Sequence, residues 1–248
     1  MTKAREVLTP DLLEEYRREG ALRLPGAVPP QDAEAMAATL WRKIEARPKS
    51  ETRPAKLSSR TGEFDAMASP MVRAVFDEIL GDWEEPDHWG LPLVSFHTGE
   101  ARWDVPHEHW HVDLGARPTD PRLARLFVFL APSRPGGGGT GYIAGSHRLV
   151  QALADAAGRA LPSAQARKAL AARSPWFAAL TSRPTGEDRM RRFMREGAEL
   201  EGVALRVCEM LGEPGDAIVM HPLMMHAPMP NTRATPRMML TQFAYGRT

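Results

Sequence analysis

Pro106-His107-Glu108-His109-Trp110-His111-Val112-Asp113-Leu114-Gly115 decides how this chain is read. Three histidines and two carboxylates fall between positions 107 and 113, a density of metal-ligating groups that packing alone does not require. Two chemistries compete for the stretch. In the first, His107-Glu108-x-x-His111 is a zinc helix, with two imidazoles one turn apart and the intervening glutamate as general base of a hydrolase. Such a helix has little room, because Pro106 directly precedes the motif and Gly115 follows four residues after it. The extended zinc motif is also broken: Arg117 stands six residues beyond His111, where a third ligand histidine belongs.

In the second reading, Trp110 to Leu114 is a strand. Side chains two apart then share a face, so His111 and Asp113 converge while Val112 packs behind them. One imidazole and one carboxylate need a second histidine to complete the 2-His-1-carboxylate face that holds Fe(II) with positions open for oxygen and a co-substrate. The run Gly215 to His226 offers His221 and His226. In a regular strand these two face opposite ways, so at most one is a ligand, and spacing does not choose. Eleven residues beyond His226, Arg237 heads the apolar run Met238-Met239-Leu240-Thr241-Gln242-Phe243. A guanidinium there is costly to bury without an anion and is shaped for a carboxylate. The anion is either a small molecule or a protein Asp or Glu.

The rest of the chain limits the options. Its 248 residues suffice for one large domain with a sizeable core, and 43% hydrophobic with 25% charged residues is an ordinary globular composition. Lys+Arg 32 against Asp+Glu 31 leaves almost no net charge, so neither nucleic acid nor an anionic membrane is expected as a partner. The one cysteine, Cys208, can form no internal disulfide and no thiolate cluster, which fits a reducing compartment. The opening residues Met1 to Glu6 are charged and lack the apolar stretch of a secretory signal, and no run approaches a membrane span. A cytoplasmic protein acting on a small molecule is expected.

Three amphipathic helices are expected first. Thr9-Pro10 caps one that Gly20 closes, another starts near Pro30, and Ser69-Pro70 starts a third that Gly81 stops. Ala21 to Pro25 reads as a short strand, and Ala46 to Thr61 as a polar loop. Short β-like runs follow at Leu91–Phe96, Leu123–Leu130, Tyr142–Ala144, Val203–Met210, Ala217–Met220 and Met238–Tyr245, punctuated by Gly and Pro. That pattern predicts an antiparallel sandwich or roll rather than a parallel sheet with crossover helices. Residues 148–202 interrupt it with the Ala-rich helical run Leu149–Arg173 and five arginines between Arg183 and Arg195. The insertion reads either as a solvated helical excursion or as a lid over the mouth of the roll, its arginines hinting at an anionic substrate.

Taken in order, these features resemble the phytanoyl-CoA dioxygenase family of Fe(II)/2-oxoglutarate oxygenases. The resemblance is carried by the helix ending at Gly20 with its strand, His111-x-Asp113, the segment Gly139 to His147, Gly215-Asp216, and His226 with Asn231 and Arg237. It implies an α+β, mainly β fold: a double-stranded β-helix (jelly-roll, cupin-like) core in a single domain over 1–248. The helical part spans 1–85, the roll strands 89–147 and 203–247, and the insertion 148–202. It also implies iron on His111, Asp113 and His226, which selects His226 over His221, and Arg237 on the distal carboxylate of 2-oxoglutarate. O2 is then the second co-substrate and succinate a product. Family members often carry a serine two residues after the distal histidine, and here that place is Pro228. Thr241 or a residue near Trp103 is expected to supply the missing contact. A carboxylate at position 113 favours hydroxylation over halogenation, which needs a small residue there. His109, on the face of His111 in a strand, and His97 and Arg102 from the preceding segment are candidates to meet substrate.

Overall fold

A computed structural model describes residues 8–46, 62–99, 102–113 and 122–247. Three helices come first, α1 (Pro10–Glu19), α2 (Pro30–Glu45) and α3 (Pro70–Leu80), with strand β1 (Ala21–Leu24) between the first two. The capping chemistry is as expected: the Thr9 and Ser69 hydroxyls accept from the backbone N–H groups of Leu12 and Val72, and each helix has proline in its first turn. Gly20 closes α1 in the left-handed conformation at φ 78°. A Cβ there would collide with Met224 and His147, so this turn needs glycine for contact as well as conformation. The expected loop at 46–61 lies, from residue 47, outside the described residues.

The strands are β2 (Trp83–Glu84), β3 (Leu91–Ser95), β4 (Leu123–Phe129), β5 (Thr140–Ala144), β6 (Ala198–Leu200), β7 (Val203–Glu209), β8 (Ala217–Met220), β9 (His226–Pro228) and β10 (Arg237–Gly246). They pair antiparallel in two sheets. The larger runs β1-β8-β4-β10-β2, with β3 also on β10, and the smaller runs β6-β7-β5-β9. This is the jelly-roll core, flanked by the amino-terminal helices and the insertion.

The alternation of side chains explains the layering. Along β4, Ala124, Leu126 and Val128 pack outward with the helices α1–α3, while Phe127 and Phe129 point between the sheets. A sheet covered on both faces must be apolar on both, which is why β4 reads as a nearly unbroken hydrophobic run. The interior cluster between the sheets is small: Phe127, Phe129, Met210, Ile218, Met220, Met224 and Met239 with Ala21. It leaves that space to polar groups described below.

The insertion consists of α4 (Ser146–Ala157), α5 (Ser163–Arg173), α6 (Pro175–Leu180) and a π-helical turn at Met190–Glu196. The helical run expected over Leu149–Arg173 is broken in two, Gly158 ending α4 in the left-handed conformation and Pro162 preceding α5. These helices bury Leu149, Leu153, Leu170 and Phe177 in a cluster with Ile143, Leu205 and Val207, so they cover the outer face of the smaller sheet. No helix among the described residues is long and apolar enough to cross a membrane.

Candidate metal centre

Over its described residues, 110–113, the strand expected at Trp110–Leu114 does not form, and Leu114 lies outside them. His111 makes a single β-bridge to His226, and the residues on either side of it are irregular. His109 stands at φ 64°, left-handed backbone that a strand cannot contain. Nor is there a helix over 107–111, so the scaffold of the zinc-hydrolase reading is missing. His107 and His109 face Glu108 instead, at 3.4 and 3.8 Å.

The bridge does what the strand was expected to do. His111 and His226 exchange backbone hydrogen bonds, both 2.8 Å, which brings their rings to 4.3 Å between centroids. Each imidazole is oriented through Nδ1: His111 donates to the His109 carbonyl at 2.7 Å and His226 to the Met224 carbonyl at 2.9 Å. With Nδ1 donating, the lone pair sits on Nε2 in both rings, the state a metal requires. Both Nε2 atoms face one oxygen, Oδ1 of Asp113, at 3.8 and 3.6 Å. The three ligand atoms lie within 4.8 Å of one another, and this donor set suits a divalent transition metal. The left-handed turn at His109 costs on the order of 1–2 kcal/mol and delivers the carbonyl that orients His111.

His221 is elsewhere. It follows β8 and lies against His147 at 4.7 Å and Tyr16 at 6.3 Å. Burial works against the charge on Asp113, but His226 and then Arg125 outweigh it and hold the carboxyl at about 2. Burial, with the neighbouring His226, lowers the proton affinity of His111 below the ordinary imidazole value of 6.5. The site is therefore anionic at its carboxylate and ready to ligate at neutral pH.

Arg125 is the neighbour the sequence reading overlooked. Its Nη1 donates to Oδ2 of Asp113, the oxygen that does not face the imidazoles, and its Nε donates to Thr241 Oγ1 at 3.1 Å. The guanidinium lies over Phe127 at 4.6 Å and Phe243 at 4.9 Å. A charge within Leu123-Ala124-Arg125-Leu126-Phe127-Val128-Phe129 is the same signal that marked Arg237, and it was there to be read.

Arg237 itself is 3% exposed and shares the inward face of β10 with Met239 and Thr241. Its Nη2 donates to Ser95 Oγ at 2.8 Å and its Nη1 to Met239 Sδ at 2.9 Å, while its buried Nε has no hydrogen-bond partner among the described residues. Burial pulls its pKa down to about 10, opposed among the described residues by Glu209, which makes no hydrogen bond to it. Glu209 in turn is pushed up by burial and accepts from the N–H groups of Gly136 and Gly139. A buried cation with an open donor and, among the described residues, no carboxylate in contact is suited to an anionic ligand. Asn231 supports the arrangement by donating to the Ser95 and Thr235 carbonyls.

The remaining candidates are placed as follows. Thr241 is buried between Arg125 and the Leu126 carbonyl, to which its hydroxyl donates at 3.0 Å. Trp103 packs with the cluster outside the smaller sheet and lines a cavity of ≈ 390 Å³ with Met190, Glu209 and Arg233. The hydroxyl that touches Arg237 is that of Ser95. The His109 side chain is 72% exposed, so its imidazole does not line the interior. His97 and Arg102 are exposed, with His97 Nδ1 accepting from the Gly99 N–H.

The insertion reaches the centre through backbone contacts. Arg189, fully buried, donates to the carbonyls of Val105, Pro106, Ala179 and Leu180 at 2.7–3.3 Å and lies 4.7 Å from the Phe193 ring. Arg167 donates to the Trp110 carbonyl at 2.9 Å, and the Val112 N–H donates to Ser163 Oγ at 2.9 Å. The irregular segment that carries His111 and Asp113 is thus held in place of a sheet ladder.

The family described as Phytanoyl-CoA dioxygenase (PhyH) matches residues 16–239. Curated proteins give no match. Among solved structures, the non-heme alpha ketoglutarate dependent carbocyclase SnoK from nogalamycin biosynthesis is 14% identical, with TM-score 0.57 over 96% of this chain and 84% of that one. HygX from Streptomyces hygroscopicus, with nickel and 2-oxoglutarate bound, is 17% identical, with TM-score 0.56 over 97% and 87%. AviO1 from Streptomyces viridochromogenes Tue57 is 15% identical, with TM-score 0.54 over 98% and 97%. At these identities the likeness is one of fold.

Proposed function

The chain belongs to the phytanoyl-CoA dioxygenase family, and from that premise we propose that it is an Fe(II)- and 2-oxoglutarate-dependent dioxygenase that hydroxylates a small molecule. The observation that carries the reading is the convergence of two Nε2 atoms and one carboxylate oxygen between two sheets, the larger of which carries the buried Arg237 with no carboxylate in contact among the described residues. A divalent cation would be held by His111, Asp113 and His226. When bound, iron with 2-oxoglutarate and O2 supplies the two-electron oxidation of a C–H bond, 2-oxoglutarate leaving as succinate and CO2.

The protein's own part is binding, orientation and exclusion of water. The His109 and Met224 carbonyls hold both rings in the ligating tautomer. Asp113 divides its oxygens, Oδ1 toward the imidazoles and Oδ2 toward Arg125, which restrains it to one-point ligation. Arg237 receives the distal carboxylate of 2-oxoglutarate, with Ser95 beside it taking the place of the serine hydroxyl that Pro228 cannot offer. Phe127, Phe129 and Met239 keep the surroundings dry, which strengthens each of these polar contacts.

Succinate formation by protein reconstituted with Fe(II) and exposed to air with 2-oxoglutarate tests the proposal. Native protein should form succinate slowly even without its substrate, and Arg237→Ala should lose at least tenfold of that rate at limiting 2-oxoglutarate. Equal rates in the two proteins would sink the assignment of Arg237.

A further inference from the structure

The cavity of ≈ 390 Å³ beside Trp103 has none of the metal ligands among its described lining residues, and its walls are chemically divided. Trp103, Met190, Met194 and Leu211 give it apolar sides, and its volume suits a small molecule. Glu209 and Arg233 bring one negative and one positive charge to the same space. The charge of Arg233 reaches Glu209 through space, yet among the described residues the two form no ion pair.

Each charge is held in place with bonding capacity left over. The Glu209 carboxylate accepts from the Gly136 and Gly139 N–H groups at 3.3 and 3.2 Å, one on each oxygen, so each oxygen can accept again. Burial pushes the carboxyl's pKa up, as happens where neighbours replace water incompletely. Arg233 donates through Nε to the Pro135 carbonyl at 2.9 Å, and its Nη groups have no hydrogen-bond partner among the described residues. Trp103 adds a buried indole N–H that likewise has no partner among them. Met190 and Met194 come from the π-helical turn Met190–Glu196, a rare geometry that recurs at functional sites. Their thioether chains adapt to varied apolar shapes.

Opposite charges that share a cavity without closing on each other fit a ligand that carries both. We propose that this cavity is a second small-molecule site, for a zwitterion of the amino-acid kind. Its ammonium would meet Glu209, its carboxylate Arg233, and an apolar side chain the indole and the methionines. A simple anion faces Glu209 and a simple cation faces Arg233, so one wall works against each. The site is separate from the metal centre, and the proposal stands or falls independently of the iron reading.

Saturation-transfer NMR on the whole 248-residue chain tests it, with EDTA present so that no amino acid is held through a metal at His111, Asp113 and His226. The probes are L-methionine, methioninamide, which lacks the carboxylate, and N-acetyl-L-methionine, which lacks the ammonium. L-leucine and L-phenylalanine extend the range of side-chain size. Native protein should bind L-methionine about tenfold or more tightly than either derivative, the worth of a charge-assisted hydrogen bond. Glu209→Gln and Arg233→Gln should each weaken it by a similar factor, with the thermal transition of each variant showing that it is folded. Arg233 is exposed, so its variant keeps the test decisive even where Glu209→Gln loses the fold. Equal binding of L-methionine and its two derivatives overturns the proposal and leaves an apolar pocket. Binding that persists unchanged in Arg233→Gln places the ligand elsewhere and overturns it too. So does the absence of transfer to all three amino acids at millimolar concentration in native protein.

Discussion

Arg237 and His109 both hold conformations or charges that the fold alone would not choose. Arg237 is a buried cation with no carboxylate in contact among the described residues, so Arg237→Met should raise stability without ligands by about 1–3 kcal/mol in urea denaturation while abolishing 2-oxoglutarate binding. Unchanged or lower stability would mean that a protein anion already neutralises it. At His109 the working group is the backbone carbonyl, not the exposed imidazole. His109→Ala should therefore keep metal affinity within about threefold, read by Co(II) titration, whereas His111→Ala should lose it by orders of magnitude. Loss of affinity in His109→Ala would make its imidazole a ligand after all. Acid should also dissociate the metal. Asp113, held at about 2, stays charged through mildly acidic pH, so the proton that competes with the metal there is the one on His111. Burial and His226 lower the proton affinity of His111 below the ordinary imidazole value, so Co(II) affinity should fall on acidification only as His111 takes up its proton.

Between residue and fold stands the insertion, whose helices act on the centre at a distance. Arg189 donates to four carbonyls, two in the last turn of α6 and two at Val105 and Pro106 just ahead of the ligand segment. Arg189→Met should cost about 3–5 kcal/mol, because the buried guanidinium's bonds to the Val105 and Leu180 carbonyls are lost without replacement, while Pro106 and Ala179 keep Trp110 and Ser182 as donors. Metal affinity at saturating stability (low temperature, no denaturant) should also drop, since the backbone at Trp110 and Val112 is anchored to the same helices. A stability loss with unchanged metal affinity would confine Arg189 to the insertion. These contacts also explain where sequence reasoning went astray locally. Period-two spacing puts His111 and Asp113 on one face only if a strand exists, yet their convergence here comes from one bridge, a left-handed His109 and the distant side chains of Ser163 and Arg167. The short β6 and β9 went unseen for a related reason, since three residues carry no period and β9 ends in Pro228.

Over the whole molecule, the roll was legible because its longer strands announce themselves. β4 and β10 are buried on both faces, β3, β7 and β8 are bounded by Gly or Pro turns, and helix caps at Thr9, Ser69 and Gly20 mark the helical part. The ligand set was legible only in order along the chain, since the choice of His226 over His221 depends on which of them the closing of two sheets brings to His111. Arg125 lay in plain view as a charge in an apolar strand, but its role depends on Asp113, Thr241 and two rings meeting around it. The central claim is that this closure builds one iron site from the two ends of the roll. Anaerobic titration of Fe(II)-loaded protein with 2-oxoglutarate, followed by the visible charge-transfer absorption of the chelate, tests it most directly. The band should appear in native protein and in His221→Ala and be absent in His226→Ala. A band that survives in His226→Ala, or that native protein never shows, would contradict the account.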